Sequence, residues 1–392
     1  MVRPVRTQHV TAAGVVDLAR GDPHPELLPI ALVRAAVDRA TAGLDPDVLQ
    51  YGYEPGDERL RAGLAAVLGR HGGVAPSPDR LFVTAGASVA LDLICTLFAR
   101  PGDRVLVATP SYHLALALFA DHGLGAEAVD SDAQGIDPAA LDAALRRAPA
   151  AFVYLVPVHG NPTGATIDAA RRAALLEVVE RHGTRLVSDE VYRLTGFAGR
   201  GDDADAASLW PGLAAAGSER VLALGSLSKV LSPGLRLGWI EGPERDLERI
   251  ARSGLLRSGG GMNPFVGAVV AALLESGDFE DHLGHVRERL RQRYRRLRGA
   301  LARELGDAAH AEVAGGYFVW PELPGVDTGS EPFAGALARH GVRVAAGAQF
   351  AASGGDAAAL RARVRLCFAH AEVEDLERGV ARLAAAVRER RG

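Results

Sequence analysis

Residues 220–239 read RVLALGSLSKVLSPGLRLGW, an apolar run that leads directly into a polar loop containing a lysine. The run Arg220–Leu224 has the composition of a strand that is buried on both faces. Similar runs are Leu81–Thr84, Arg104–Thr109, Ala151–Pro157, Arg185–Asp189 and Leu237–Glu241, and the helix-like stretches between them are Val89–Ala99, Leu114–His122, Pro138–Arg147 and Asp168–His182. This alternation predicts an α/β domain with a mostly parallel sheet, in which ligands bind at the carboxyl ends of the strands.

The remainder of the chain predicts a smaller α+β domain. A helix is expected at Asp57–Arg70, before the sheet, and a Gly/Ser break at Ser258–Gly261 follows the sheet. Further predicted elements are helices at Pro264–Leu274, Phe279–Leu305 and Val373–Arg388, and strands at Tyr317–Trp320, Val342–Ala345 and Arg363–Phe368. We predict an N-terminal arm with part of the small domain (1–44), a large ligand-binding domain (45–275) and a small C-terminal domain (276–392).

Composition excludes several classes of protein. The 392 residues carry a formal net charge of -4, which provides no general attraction to nucleic acid or to an anionic membrane surface. Two cysteines, Cys95 and Cys367, cannot form a disulfide scaffold or a zinc cluster, so no metal site is predicted. The segment Met1–Val10 lacks the apolar core of a signal peptide, and no apolar run is long enough to span a membrane. We therefore expect a cytoplasmic protein.

Lysine usage is the most informative count. Lysine and arginine together number 44, and Lys229 is the only lysine. A guanidinium stays protonated, whereas an amine can lose its proton and form an imine, so this position suggests a task that arginine cannot perform. The alternative is a surface lysine that has survived by chance.

The neighbours of Lys229 favour a covalent site beside a phosphate. Ser226 and Ser228 flank the lysine, and Arg236 follows seven residues later. The hydroxyls and the guanidinium would hold a phosphate, and the lysine would hold an aldehyde carbon. Alternatively, the two serines only cap the loop.

Polar residues also follow the other predicted strands. Asp189 ends an apolar run, where a carboxylate is costly unless it pairs with a cation such as a protonated pyridine nitrogen. Asn161 follows Ala151–Pro157 and could donate a hydrogen bond to a ligand. Ser88 lies where a helix begins after Leu81–Thr84, and it would help to bind an anion or serve as a plain N-cap. His159 is interpreted as a supporting loop histidine, with direct catalysis as the lesser alternative.

With these motifs in this order, the sequence resembles the class I/II aminotransferases of the fold-type I pyridoxal-phosphate enzymes, from Asp17 to Phe368. It is similar to the subgroup that contains 2-aminoadipate aminotransferase and the effector domains of MocR-type regulators. The resemblance implies a seven-stranded, mostly parallel sheet between helices, a smaller α+β domain, and pyridoxal 5'-phosphate as cofactor. It also implies transfer of an amino group between an L-amino acid and a 2-oxo acid through a Schiff base on Lys229.

Two other functions remain open at this stage. The same cofactor site could perform elimination, cyclisation, decarboxylation or oxidation of an amino acid in specialised metabolism. A ligand-sensing module like the MocR effector domain is disfavoured, because only about 16 residues precede Asp17 and a DNA-binding segment needs more.

The resemblance also assigns roles to individual residues. Lys229, Asp189 and Tyr192 are the expected catalytic residues, with Asp189 on the pyridine nitrogen and Tyr192 and Asn161 on the phenolic oxygen. Tyr112 matches the aromatic residue that stacks on the ring. The residues expected near the phosphate are Ala87, Ser88, Ser226, Ser228 and Arg236.

Substrate and partner contacts follow from the same resemblance. Tyr51 matches a tyrosine that reaches the phosphate of the neighbouring subunit, which implies a homodimer with shared active sites, although Tyr51 could be a simple packing residue. Arg365 matches the clamp for the substrate α-carboxylate, with Arg363 or Arg361 as alternatives if the register is shifted. Asn161 and Gly21 are also expected to contact the substrate.

Arg20 departs from the family, which usually has a small residue there. Arg20 could bind an acidic substrate side chain, and nearby Asp22 could bind a basic one. The alternative is that Arg20 and Asp22 form a surface ion pair.

Overall fold

A computed structural model describes residues 11–42, 46–197, 212, 214, 217–306 and 312–391. The helices in these ranges are α1 (Ile30–Thr41), α2 (Glu58–Gly72), α3 (Ala87–Phe98), α4 (His113–Asp121), α5 (Pro138–Arg147), α6 (Ala169–His182), α7 (Glu244–Ala251), α8 (Gly254–Gly259), α9 (Pro264–Ser276), α10 (Asp278–Leu305), α11 (Glu331–His340), α12 (Ala357–Leu360) and α13 (Val373–Arg391). The strands are β1 (Val16–Asp17), β2 (Leu81–Thr84), β3 (Arg104–Ala108), β4 (Gly125–Val129), β5 (Ser131–Asp132), β6 (Gly135–Ile136), β7 (Phe152–Leu155), β8 (Arg185–Asp189), β9 (Val221–Ser226), β10 (Gly238–Glu241), β11 (Phe318–Val319), β12 (Val342–Arg343), β13 (Ala345–Ala346) and β14 (Val364–Cys367).

The central sheet has seven strands in the order β2-β10-β9-β8-β7-β3-β4. Strand β10 runs antiparallel to both of its neighbours, and the pairs β9–β8, β8–β7, β7–β3 and β3–β4 are parallel. The predicted α/β fold with a mostly parallel, seven-stranded sheet is confirmed. The sheet therefore brings the carboxyl ends of β7, β8 and β9 to one edge, where a ligand site is expected.

The strands form because their side chains are buried on both faces. Along β3, Val105 and Val107 lie in the core on one face, and Leu106 lies in the core on the other. Helices α3, α4 and α7 cover the first face, and α5 and α6 cover the second. Such strands read as continuous apolar runs, which is why the sequence identified six of them.

Strand β4 was not predicted. Its sequence, GAEAV, has small residues and only one buried position, Val129, because it is an edge strand: its neighbour in the sheet is β3, and on its other side Glu127 forms a single bridge to Ser353. An edge strand with this composition does not present the apolar run that marks the inner strands.

A separate apolar core lies around α10, α11 and α13. The strands around it form a sheet in the order β11-β14-β13, and β1 pairs in parallel with β12. Val16, Leu18 and Leu27 belong to this core, so the N-terminal segment packs with the C-terminal third of the chain. Helix α1 instead packs against α9 in a core of the larger part. The proposed domain boundaries at residues 44 and 275 stay a prediction.

Several predicted local features differ from the structure. Helix α3 begins at Ala87 with Gly86 as its cap residue, so the interpretation of Ser88 as an N-cap is wrong. Helix α8 covers the beginning of the predicted Ser258–Gly261 break. The strand predicted at Val342–Ala345 is divided between β12 and β13. Among the described residues, no helix has both the length and the apolar character needed to cross a membrane.

Candidate active site

The carboxyl edge of the central sheet carries a pocket of about 230 Å³. The predicted residues that line it are Ala87, Ser88, Tyr112, Asn161, Asp189, Tyr192, Ser226, Ser228, Lys229 and Arg236. A second pocket of about 400 Å³ adjoins the first and adds Arg20, Gly21, Asp22 and Arg365 to its lining. The two pockets share Lys229, which lies at their junction. Residues that are far apart in sequence therefore meet around one amine.

Lys229 is half-buried, and its side chain faces the pockets. Its Nζ donates a hydrogen bond to the carbonyl of Gly21 at 2.9 Å and lies 5.3 Å from the ring centroid of Tyr317. Burial lowers the pKa of the amine, and the nearby charge of Asp22 partly opposes that effect. A larger neutral fraction makes the amine a better nucleophile and a better proton acceptor. The surroundings are not those of a surface lysine.

The backbone of the lysine loop is held by side chains from elsewhere in the chain. The hydroxyl of Tyr317 donates to the carbonyl of Lys229 at 2.6 Å, and Nε2 of His282 lies 2.8 Å from the carbonyl of Val230. Tyr317 is fully buried. These contacts fix the direction in which the Lys229 side chain leaves the loop. The sequence did not identify Tyr317, because nothing in a predicted short strand indicates which distant carbonyl it meets.

Asp189 is a buried carboxylate at the end of β8. Its Oδ2 accepts a hydrogen bond from the hydroxyl of Tyr154 at 2.8 Å, and its Oδ1 lies 3.4 Å from the backbone nitrogen of Val191. Burial raises the pKa of Asp189 to about 6, although the bond from Tyr154 opposes this rise. Among the described residues, no arginine or lysine makes an ion pair with Asp189. The carboxylate is thus suited to a cationic ligand atom in the pocket.

Tyr154 is a supporting residue that sequence reasoning missed. It lies in β7, beside β8, and its side chain is fully buried. The only signal was a hydroxyl in the middle of an apolar strand, where it requires a hydrogen-bond partner.

The opposite end of the first pocket gathers hydrogen-bond donors. The Ser226 hydroxyl lies 2.9 Å from that of Ser228, and Arg236 has a positive φ of 49°. The guanidinium of Arg236 lies over Gly86, where a Cβ atom would come within 2.5 Å of Nη2. Helix α3 begins at this point with no side-chain cap, so its first N–H groups are available to a ligand. Hydroxyls, a guanidinium and a helix N-terminus together suit a phosphate.

Tyr112 precedes helix α4 and lines both pockets. Burial raises its pKa to about 12, so the phenol stays neutral at physiological pH. Tyr192 is also buried, and its ring centroid lies 5.7 Å from Nζ of Lys229. The two tyrosines thus add aromatic surface to the pockets that contain the amine.

Arg365 lies in the second pocket. Its Nη1 donates to Oδ1 of Asn161 at 2.9 Å, and its Nη2 donates to the carbonyl of Ala19 at 2.6 Å. The guanidinium stacks on Phe318 at 4.2 Å from the ring centroid. Its Nε is buried and finds no hydrogen-bond partner among the described residues. The alternatives, Arg363 and Arg361, do not line this pocket, and Arg363 pairs with Glu322.

Three further predicted residues have clear positions. Arg20 and Asp22 form an ion pair, with Nε 2.5 Å from Oδ2, at the wall of the second pocket. Tyr51 is 82% exposed and does not line the pocket of its own chain. This exposure is not that of a residue packed within the subunit.

His159 is buried next to Gly315 and Gly316, and its Nδ1 lies 3.3 Å from the hydroxyl of Thr166. Burial lowers its pKa to about 4, so the ring stays neutral. It does not line either pocket. The position fits a supporting loop histidine.

Comparison with known proteins identifies the family. The sequence model described as "Aminotransferase class I and II" matches residues 13–383. The chain is 31% identical over 377 residues to 2-aminoadipate transaminase of Thermus thermophilus, covering 96% of this chain and 90% of the relative. It is also 28% identical to YdfD of Bacillus subtilis, an uncharacterised HTH-type transcriptional regulator, covering 96% of this chain and 74% of that protein.

A solved structure shows the same architecture. The crystal structure of LysN, the α-aminoadipate aminotransferase of Thermus thermophilus, was determined with N-(5'-phosphopyridoxyl)-L-leucine. It superposes with a TM-score of 0.82 at 32% sequence identity, covering 96% of this chain and 93% of that one.

The pocket fits the cofactor of this family on its own geometry. Asp189 offers a buried carboxylate that has no cationic ion-pair partner among the described residues. Lys229 offers a half-buried amine, and the start of α3 together with Arg236 offers an anion site. These features match a ring nitrogen, an aldehyde and a phosphate, respectively. The prediction of pyridoxal phosphate as cofactor is confirmed. The chain belongs to the class I and II aminotransferases, and it is a pyridoxal-phosphate-dependent transaminase.

Proposed function

We propose that the protein transfers the amino group of an L-amino acid to a 2-oxo acid, with Lys229 as the covalent anchor of the cofactor and as the proton-transfer group. The observation that carries this proposal is the position of the Lys229 amine, at the junction between the pocket that contains Asp189 and the pocket that contains Arg365. When it is bound, pyridoxal phosphate supplies an electron-accepting ring that stabilises negative charge on the substrate α-carbon.

Lys229 is proposed as the general base and acid. Burial favours its neutral amine, which is the form that accepts a proton from carbon. The Gly21 carbonyl and the Tyr317 hydroxyl orient the side chain and its backbone, respectively. The same amine would therefore remove a proton at one carbon atom and return it at another without leaving the pocket.

Asp189 is proposed to keep the ring nitrogen protonated. A buried carboxylate with a raised pKa gains stability when a cation pairs with it, and the Tyr154 hydroxyl supports its ionised form. Tyr192 and Asn161 are proposed to contact the phenolic oxygen, and Tyr112 to cover one face of the ring. Ala87, Ser88, Ser226, Ser228 and Arg236 are proposed to bind the phosphate.

Arg365 and Asn161 are proposed to bind the substrate α-carboxylate. The fork of Arg365 is already oriented by Asn161 and Ala19 and by stacking on Phe318. A planar guanidinium binds a carboxylate in two parallel hydrogen bonds, which fixes the substrate relative to Lys229. Gly21 is proposed to lie beside the same carboxylate.

A homodimer with shared active sites is proposed from the exposed segment around Tyr51. Leu49, Tyr51 and Tyr53 alternate along this segment and are 70%, 82% and 81% exposed. The segment is held in place by a bridge between Gly52 and Gly261. Three large exposed side chains close together on a fixed segment favour burial against another subunit. Sedimentation at micromolar concentration should show a dimer. Tyr51→Ala should weaken the retention of the cofactor, although Tyr51 does not line the pocket of its own chain.

The single lysine permits a sharp test of the anchor. Borohydride reduction of the cofactor-loaded protein, followed by peptide mapping, should place one label on the peptide that contains Lys229. Arg252→Lys is the matched control, because it adds a second lysine at a side chain that is 78% exposed and that should remain unlabelled. Lys229→Arg should abolish the half-reaction with every amino acid, since a guanidinium cannot replace the amine.

Dependence on an oxo acid distinguishes transamination from the other reactions of this cofactor. Sustained turnover of an amino acid should require a 2-oxo acid as amino acceptor. Turnover without an acceptor, or an unlabelled Lys229 peptide in loaded protein, would overturn the proposal.

A further inference from the structure

The charged side chains that line the second pocket differ in how many of their hydrogen-bonding atoms already have partners. Arg20, Arg343 and Arg365 carry positive charge there, and Asp17 and Asp22 carry negative charge. With Arg365 assigned to the substrate α-carboxylate and Lys229 to the cofactor, the remaining charges of Arg20, Arg343, Asp17 and Asp22 balance. The substrate side chain therefore meets a pocket of no net charge. The hydrogen-bond donors and acceptors of the pocket that have no partner then decide which kind of side chain binds.

Asp17 has no capacity left for a substrate. Its Oδ1 accepts the backbone N–H groups of Ala19 and Arg20 at 2.9 and 3.1 Å, and its Oδ2 accepts from Thr11 and Arg343 at 2.9 and 2.8 Å. These bonds shape the turn that presents the carbonyls of Ala19 and Gly21. They also neutralise Arg343, so this pair belongs to the framework of the pocket.

Asp22 differs, because only one of its two oxygen atoms is used. Its Oδ2 accepts from Nε of Arg20 at 2.5 Å, and within the described ranges no donor reaches Oδ1. The side chain is 35% exposed and lines the pocket. A carboxylate held by one cation through one oxygen can accept a second donor through the other.

Asp22 follows Gly21, whose carbonyl accepts the hydrogen bond from Nζ of Lys229 at 2.9 Å, and both Asp22 and Lys229 line the second pocket. Asp22 is the first of the charged groups that act on the pKa of Lys229, after burial, and it also acts on Tyr112. The charges of Arg20 and Asp22 both act on His370, where Arg20 lowers the pKa and Asp22 raises it. Asp22 therefore lies in the same pocket as the reacting amine and Arg365.

We infer that the amino donor has a cationic side chain, a primary ammonium or a guanidinium, and that Asp22 binds it while Arg365 binds the α-carboxylate. This inference rests on the proposed function. An acidic side chain would be repelled by the Asp22 carboxylate, whereas a cation joins the existing pair at Oδ1. Asp22 thus acts as a specificity-determining residue, and Arg20 orients it.

The first test compares donors in the half-reaction, followed by the loss of cofactor absorbance. L-lysine, L-ornithine and L-arginine should show kcat/KM at least about 10-fold above that of L-norleucine, which has similar length without the charge, and above that of L-glutamate. Asp22→Asn should lower the ratio of lysine to norleucine about 10-fold or more. Asp38→Asn, at an exposed position on α1, is the matched control and should leave this ratio as in the wild type.

The second test measures binding without turnover. Reduced phosphopyridoxyl adducts of L-lysine, L-norleucine and L-glutamate are titrated into cofactor-free protein by calorimetry. The lysine adduct should bind about 10-fold more tightly than the norleucine adduct, and Asp22→Asn should remove that difference. Because each comparison is a ratio within one protein, a general loss of stability in the variant does not produce the expected pattern.

The outcomes of these two tests distinguish a failure of this inference from a failure of the proposed function. Equal binding of the lysine and norleucine adducts, or preference for the glutamate adduct, overturns the role of Asp22 even if neutral or acidic donors react. If no donor reacts and borohydride does not label Lys229, the proposed function fails, and the adduct titration still decides whether Asp22 selects a cation.

Discussion

Replacing Asp189 by asparagine should stabilise the cofactor-free protein at neutral pH. Burial raises the pKa of Asp189 from its ordinary value of 3.8 to about 6, so the folded protein holds this proton more tightly than the unfolded chain does. The associated stability is present below about pH 4 and is lost as the pH rises through 6. At about 1.4 kcal/mol for each pH unit, the difference between 3.8 and 6 amounts to roughly 3 kcal/mol.

Asparagine removes this penalty with little change in shape. Its side-chain oxygen can still accept the hydrogen bond that Tyr154 donates to Oδ2 at 2.8 Å. Urea denaturation of the cofactor-free proteins between pH 4 and pH 8 should show the variant gaining on the wild type as the pH rises. The gap should approach roughly 3 kcal/mol above pH 7 and close toward pH 4. Asp38→Asn reports the effect of the same exchange at an exposed site.

Addition of the cofactor should reverse the order. A paired Asp189 is stabilised by the bound cation, so pyridoxal phosphate at pH 8 should stabilise the wild type more than Asp189→Asn. A stability difference that is constant from pH 4 to pH 8, or one that grows toward acid pH, would refute the reasoning about burial.

Three other substitutions test single contacts. Tyr317→Phe removes the hydrogen bond to the Lys229 carbonyl and should lower the free energy of unfolding by about 1–3 kcal/mol in urea denaturation. It should also reduce kcat more than it raises KM, and an unchanged kcat would argue against a positioning role. Arg365→Lys keeps the charge but loses the fork, so the KM of the amino donor should rise about 10- to 100-fold in steady-state kinetics while cofactor content stays the same. Ser226→Ala should weaken pyridoxal phosphate by about 1 kcal/mol, or about fivefold, in a fluorescence titration, and equal weakening of pyridoxal would contradict a phosphate contact.

The sequence was most informative where one local pattern indicated both a secondary-structure element and a functional residue. The inner strands could be predicted because each is buried on both faces and reads as an apolar run. The polar residues directly after β7, β8 and β9 could be predicted to meet, because parallel strands end at the same edge. Lys229 could be singled out because it is the only amine among the side chains.

Sequence patterns failed where a role depends on a partner from a distant part of the chain. Tyr154 and Tyr317 are ordinary strand residues until the fold places their hydroxyls on Asp189 and on the Lys229 carbonyl. The start of α3 was misassigned because Gly86, which has a positive φ of 94°, takes the cap position under the Arg236 guanidinium. No local pattern contains that contact.

The amino-acid sequence alone indicated the fold class and singled out Lys229, because these depend on periodicity and on the chemistry of individual side chains. The cofactor was implied by the family that the sequence resembles. Tertiary structure alone decided that the turn at Asp17 carries its carbonyls to Lys229 and Arg365, and that Asp22 lines the pocket of the amine with one oxygen atom held by Arg20. The physical reason is that burial and unused hydrogen-bonding capacity belong to the folded arrangement. A residue's type fixes what it can donate or accept, and only its neighbours in space determine which of those bonds remain for a ligand.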